Sequence, residues 1–280
     1  MVQDVKNCIT DLRGLPSQPV VIQKLQALMT KQNANSHEVA RIIETDQGFT
    51  ARVLKLVNSS FYGLPRSISS VDEAITILGF NSVHQLLLTT SILNSIKIED
   101  ESFELSEFWK HSFAVGVIAK HLLAKRSKDE QDEAFISGVL HDIGKLIMVN
   151  NDSVKFAEFF SGKEKATNLK EENEYFGMDH QSLGELLAKK WNFPEKIRIT
   201  IGSHHQPIMD SENTRLIACV YISDIIAHAM DIGNSGTYYI SEFSCEAWKI
   251  LDIKMDDLKS FLSKACFEIN ETEQLLSDLN

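Results

Sequence analysis

The sequence predicts an all-α protein built as a multi-helix bundle, and three observations carry that expectation. Apolar residues recur at spacings of three and four along most of the 280 residues, the repeat of a helix with one buried face. Alternating strand-like patterns are nearly absent, SGTYYIS (235–241) being the one short candidate. The five prolines all fall where loops or helix starts are expected.

The first helix is expected from about Pro19 to Met29. A second starts after Ser36, a good N-cap, with Glu38 in its first turn where the helix dipole favours an acid. A third covers GFTARVLKLVNSS, with Phe49, Val53, Leu56 and Val57 on one side. YGLPRSISS reads as a loop. Ser70 and Glu73 form a capping box that opens VDEAITILGF, and NSVHQLLLTTSILNSI (81–96) follows as another helix. The polar stretch KIEDESFEL (97–105) marks a boundary. Residues 1–97 are therefore expected to form an N-terminal helical part, 98–231 a second helical part, and 232–280 a C-terminal helical extension. In the second part, helices are expected near 106–125, 133–149, 179–191, 194–205 and 214–231. Pro194 suits a first helical position, Pro207 a helix end and Gly233 a C-cap. Two or three further helices complete the chain.

Composition narrows the function classes. A hydrophobic share of 43% and a charged share of 24% are ordinary for a soluble globular chain. A net charge of −11 repels nucleic acid and anionic membrane, so neither is an expected partner. The mild acidic cluster Glu171 to Glu174 reads as a solvated face. Cys8, Cys219, Cys245 and Cys266 include no CxxC pair and fit free thiols in a reducing compartment. MVQDVKNC lacks the features of a signal peptide, and no apolar run approaches the ~20 residues that cross a bilayer. The expectation is a cytoplasmic protein. No GxxxxGK[ST] phosphate loop is present.

Polar groups stand on helix faces that are otherwise apolar. Residues at i, i+3, i+4 and i+7 share a face. The stripe Val115, Ile118, Leu122 extends backwards to His111 and then Glu107. In DEAFISGVLHDIGKLIMV the one polar line is Gly138, His141, Asp142 and Lys145. Leu183, Leu187 and Trp191 start at His180, and Ile197 and Ile201 lead to His204 and His205. Ile217, Val220 and Tyr221 lead to Asp224 and, a turn later, to His228, which reads as a core or supporting histidine. His37, His84 and His121 lie off these stripes and read as surface or loop residues. One such group is most simply a hydrogen-bonded core residue; five helices doing the same call for a common cause. Imidazoles and carboxylates converging inside a helical bundle build metal sites. Nitrogen and oxygen ligands without thiolate point to divalent ions, Fe or Mn first, with Mg, Zn and Ni compatible. Lys145 either snorkels or reaches an anion held at the metal.

These residues resemble the metal-dependent phosphohydrolase superfamily named for its adjacent His-Asp pair, and within it the HDOD family of bacterial signalling proteins. The resemblance is carried by LPSQPVVIQKL (15–25), ARIIETDQGFTARVLKLVNSSFYGL (40–64) and ISSVDEAITILGFNSVHQLLL (68–88). FWKHS (108–112), AFISGVLHDIGKL (134–146), EYFGMDHQSLGELLAKKW (174–191), FPEKI (193–197) and SHHQP (203–207) extend it. It covers roughly 12–210, and residues after about 230 resemble nothing recognisable. The resemblance implies an all-α HD-type bundle and a regulatory or output role in signalling. Unlike many members, this chain keeps a full ligand set matching the related HD-GYP phosphodiesterases. By that likeness His111, His141, Asp142 and Asp224 hold one ion. Asp142 bridges to a second held also by His180, His204 and His205. Glu107 matches an extra acidic ligand of some relatives, and Lys145 a phosphate-contacting lysine. After His204 and His205 the chain reads QPIMDSENTRL, without the GYP motif. Two functions follow: a signalling module that meets a protein partner or small phosphorylated ligand, or a phosphohydrolase acting on a nucleotide or cyclic nucleotide. In the second, Asp142 and Lys145 are the catalytic candidates.

Overall fold

The structure is a computed structural model that describes residues 20–29, 36–58, 64–79, 82–84, 87, 98, 100, 103–160, 169–207, 212–236 and 240–277. It is all-α, and no strand occurs among the described residues. The centre of the strand candidate, 237–239, lies outside them, as does most of the helix expected over 81–96. The chain divides into two compact units, one within Ser17–Ile96 together with the residues from Phe267 on, the other within Lys97–Cys266.

In the N-terminal unit, α1 (Val20–Met29) buries Ile22, Leu25 and Leu28, one helical face. Helix α2 (Ser36–Glu44) buries Val39, Ala40 and Ile43, and α3 (Gln47–Val57) buries Val53 and Val57. Asn58 then pins the loop: its amide donates to Leu54 O and Ile68 O, and its Oδ1 accepts from Ile68 N. Helix α4 (Val71–Leu78) starts at Ser70, whose Oγ accepts from Glu73 N. The reciprocal bond of the expected capping box is displaced by one residue, because Glu73 accepts from Ser69 N instead of Ser70 N. Helix α2 packs against α1, α3 and α4. His84 is buried, not on the surface as its position off the stripes suggested, and desolvation lowers its imidazole to about 4.

The second unit comprises α5 (Leu105–Leu122), α6 (Lys128–Leu140), α7 (Ile143–Asn151), α8 (Ser153–Phe160), α9 (Leu169–Phe176), α10 (His180–Lys190), α11 (Glu195–Ile201), α12 (Thr214–Ala229) and α13 (Cys245–Leu251). Helix α14 (Met255–Ser277) begins here. Helix α6 lies against α5, α11 and α12, and α10 against α7 and α11. Two close approaches set this packing. A Cβ on Gly138 would stand 2.6 Å from Gly116 Cα, so α5 and α6 touch backbone to backbone there. A Cβ on Gly144 would stand 1.9 Å from His180 O, so α7 can meet the start of α10 only with glycine at that position.

The structure corrects several expected elements. The helix expected over 133–149 is two helices, with His141 and Asp142 in the turn between them. The Gly138 carbonyl, which a continuous helix offers to residue 142, accepts from the His141 ring at 2.7 Å, and Lys145 N closes a tight turn on Asp142 O. Helix α11 stops at Ile201, leaving His204 and His205 in a turn. Pro194 caps α11 from one residue before its start, and Gly233 lies beyond the Met230 cap of α12. Helices α8 and α9 have no counterpart among the expected elements. Among the described residues, Cys219, Cys245 and Cys266 are free thiols, and no helix is long and apolar enough to cross a membrane.

Candidate metal centre

Five pieces of backbone aim ligand-type side chains at one interior point. Helix α5 supplies His111, the α6–α7 turn supplies His141 and Asp142, and α10 opens with His180. The turn after α11 supplies His204 and His205, and α12 supplies Asp224 and His228. His111, His141, Asp142, His180, His204 and Asp224 are each no more than 4% exposed. His205 and His228 are half-buried.

Four of the imidazoles are oriented by a bond from the far side of the ring. Nδ1 faces Ile232 O at 3.3 Å in His111, Gly138 O at 2.7 Å in His141 and Ile201 O at 2.8 Å in His204. In His180 it faces the Glu172 carboxylate at 2.6 Å. An acceptor at Nδ1 places a hydrogen there, so that once the ring is neutral the lone pair is on Nε2, as in metal-binding histidines. Those Nε2 atoms converge. His180 Nε2 and His204 Nε2 are 3.2 Å apart, and both face Asp142 Oδ1, at 3.4 and 3.6 Å. Asp224 Oδ1 lies 3.0 Å from His111 Nε2 and 3.5 Å from His141 Nε2.

Nε2 atoms this close to one another and to a carboxylate need a proton or a cation between them. Two buried atoms, His141 Nε2 and Asp142 Oδ1, make no well-aligned hydrogen bond, although Asp142 Oδ2 lies 3.3 Å from the first and His180 Nε2 3.4 Å from the second. Such atoms cost free energy in an interior, and a cation would satisfy both. The donor atoms fall into three sets, each within 4.8 Å: Asp142 with His180, His204 and His205; His111 with His141 and Asp142; and His111 with Asp224 and His228. Two imidazoles sharing an ion, with bonds of about 2.1 Å at about 90–110°, have ring centres about 4.5–5.2 Å apart. The separations of His180 from His204 and from His205, 5.1 Å each, fall in that range, while 4.3 Å between His204 and His205 lies just below it and 5.6 Å between His111 and His141 just above. The residues therefore fit divalent metal.

The electrostatics set a proton against the ion at His141 and favour ligation at His204 and His205. Burial pushes the His141 imidazole down, but Asp142 and Asp224 outweigh it and raise the group to about 10. Burial works to raise Asp142, yet His141 and Lys145 hold it well below the usual carboxylate range. Asp224 is likewise pushed up by burial and held well below by its imidazole neighbours. Burial lowers His204 to about 4 and His205 well below its ordinary value, so both stand neutral and able to ligate.

Lys145 does not snorkel. It is buried, and its Nζ donates to Asp142 Oδ2 at 2.7 Å and to Ser235 Oγ at 3.2 Å. Glu107 is half-buried a turn before His111; its backbone O accepts from Asn234 N, and its carboxylate belongs to none of the three donor sets. Glu172 corrects the reading of the acidic cluster as a solvated face. It is 1% exposed, and its Oε2 accepts from both the backbone N and Nδ1 of His180. Burial raises its carboxyl, but the His180 contact prevails and lowers it. A signal was present: Glu172 lies three residues after Leu169 and four before Phe176, on the apolar line of its helix. Gln181, also buried, accepts through its side-chain oxygen from His204 N and His205 N, which fixes the turn.

Fold and site together define an all-α protein with an interior candidate centre for divalent metal. The chain belongs to the HDOD family, whose domain matches residues 15–207. A solved HDOD domain protein of unknown function from Geobacter sulfurreducens is 24% identical, with a TM-score of 0.76, over 100% of this chain and 98% of that one. That likeness of fold runs through the residues after 230 as well. A candidate phosphohydrolase from Shewanella amazonensis SB2B is 25% identical, with a TM-score of 0.74, over 97% of each chain. An uncharacterised protein of Treponema pallidum (strain Nichols) is 23% identical over 237 residues, 82% of this chain, which spans 45% of that protein's length.

Proposed function

We propose that this HDOD protein is a regulatory module of bacterial signalling whose interior is organised by two divalent ions bridged by Asp142. His111, His141 and Asp224 would complete one ligand set with Asp142, and His180, His204 and His205 the other. The observation that carries the reading is the pair of buried Nε2 atoms of His180 and His204, 3.2 Å apart beside Asp142 Oδ1, which makes no well-aligned hydrogen bond. Imidazole and carboxylate ligands favour Fe or Mn, with Mg, Zn and Ni compatible. Because the ligands lie in the core, metal occupancy is coupled to folding, which is what a module reporting its own state to a partner protein needs. Free thiols and an acidic surface suit the cytoplasm, without nucleic acid or membrane as partner. The test is elemental analysis of the purified chain. Two equivalents of metal are expected, falling sharply in Asp142→Asn; a chain that holds no metal after loading with Fe, Mn, Mg, Zn or Ni sinks the reading.

A second reading, a metal-dependent phosphohydrolase for a nucleotide or cyclic nucleotide, is favoured by Lys145. Its ammonium sits against the bridging carboxylate, where it would offset charge growing on a phosphoryl oxygen. Bound ions would supply Lewis acidity and an acidified water. Asp142 orients the ligand set, and Ser235 holds the lysine head in place. Turnover of a phosphodiester and nucleotide panel by Mn- or Fe-loaded protein, lost in Lys145→Met with metal content unchanged, is the expected signature. A panel with no turnover leaves the regulatory reading alone.

A further inference from the structure

We infer that His228 is a metal ligand, forming with His111 and Asp224 an outer seat for the ion that the His141–Asp142 face also holds; this rests on the metal-centre reading above. Helix α12 places Asp224 and His228 four residues apart on one face. Asp224 Oδ1 lies 3.4 Å from His228 Nε2 and 3.0 Å from His111 Nε2. One ligand atom from each of the three residues lies within 4.8 Å of the other two. The rings of His111 and His228 have centres 4.5 Å apart and are tilted by 44°. That is the spacing of two imidazoles at about 90° on one ion with bonds of about 2.1 Å. Asp224 Oδ1 thus faces imidazole nitrogens of His111, His141 and His228 together.

The two seats are alternatives. His111 turns Nδ1 to Ile232 O, so it offers one lone pair, through Nε2, to one ion at a time. His111, His141 and Asp142 form one donor set, and His111, Asp224 and His228 the other. His111 is thus the pivot between them. The His228 side chain is 11% exposed and that of His111 is 0%, so the outer seat lies on the solvent side of the pivot. Two imidazoles and one carboxylate leave coordination positions for water. The ligand class is an imidazole-preferring divalent ion such as Fe, Co, Ni or Zn.

The test loads the full chain with Co(II) and follows visible absorption, stoichiometry and release to a chelator. In His228→Gln, one of the two ions should leave at least about tenfold faster with an altered Co(II) spectrum, while the other keeps its release rate. His228→Asp restores a ligand and should recover slow release with shifted bands. Release and spectrum unchanged in His228→Gln overturn the outer seat. Wild-type protein that takes up neither Co(II) nor any of Fe, Mn, Mg, Zn and Ni overturns the metal reading itself, so the two failures are distinct. Zn(II) titration of the unsubstituted chain probes the same seat without a variant. Imidazole 15N resonances show whether His228 Nε2 moves to the metal-bound range or stays in place, and staying in place overturns the seat.

Discussion

Glu172 meets His180 through one carboxylate oxygen that accepts from both the ring and the backbone, at 2.6 and 2.9 Å. A buried carboxylate behind an imidazole fixes its tautomer and raises its basicity as a ligand, and losing such a partner costs about 10–100-fold in metal affinity. Glu172→Gln should therefore weaken the ion at His180, His204 and His205 by that factor and leave the ion at His111 unchanged, as read by competition with a chelating dye. Equal affinities in wild type and variant would show that Glu172 only fills space. A second residue-scale outcome concerns pH. The metal-free His141 imidazole, raised to about 10, carries a proton at neutral pH, and an ion must displace it. His204, lowered to about 4, has none to lose. Metal affinity should rise about tenfold per pH unit from neutrality towards pH 10, with one proton released per chain. Calorimetry in buffers of different ionisation enthalpy measures that release directly. His111, His141, His180, His204 and Asp224 were legible in the sequence because each interrupts an apolar stripe. Glu172 was obscured by exposed Glu171 and Glu174 on either side, although its own spacing to Leu169 and Phe176 marked it.

Helix boundaries decide where those residues point. Periodicity carried α5, α10 and α12 to within a few residues, because their buried faces run unbroken from end to end. It failed over 133–149, where the apolar pattern continues through a break that the His141 ring makes by taking the Gly138 carbonyl. Periodicity reflects burial, and residues on both sides of this turn are buried, so the break leaves no trace in the pattern. Helices α8 and α9 are eight residues each, too short to repeat a stripe convincingly. The break also moves His141 and Asp142 off a shared helical face, letting Asp142 turn towards His180 and His204 while His141 turns towards Asp224. The glycine contact between α5 and α6 holds His111 within reach of this turn. Gly138→Ala would drive a Cβ into Gly116, 2.6 Å away in backbone that cannot swing aside. The variant should lose about 1–3 kcal/mol or more of stability and bind metal less tightly, as thermal unfolding and metal analysis will show. Full metal content with unaltered stability would mean that the helices can separate without disturbing the centre.

At the scale of the whole molecule, every residue of the three donor sets lies between His111 and His228, inside the unit Lys97–Cys266. The N-terminal unit is held by other means: the apolar faces of α1 to α4, the Asn58 loop pin and the Ser70 cap. Stabilisation by an ion that binds only the folded state grows with its concentration, reaching about 2.7 kcal/mol per site at a hundredfold excess over Kd. Two such sites in a domain of this size correspond to a rise in Tm of about 10 °C or more. Chelation should reverse that rise, and hydrogen exchange should locate it. Amides of α5, α6, α7, α10, α11 and α12 should lose protection when metal is removed, while those of α1 to α4 keep theirs. Loss of protection spread evenly over both units would mean that the metal supports one cooperative fold. No change in either would leave the buried imidazoles and carboxylates without the cation their geometry calls for.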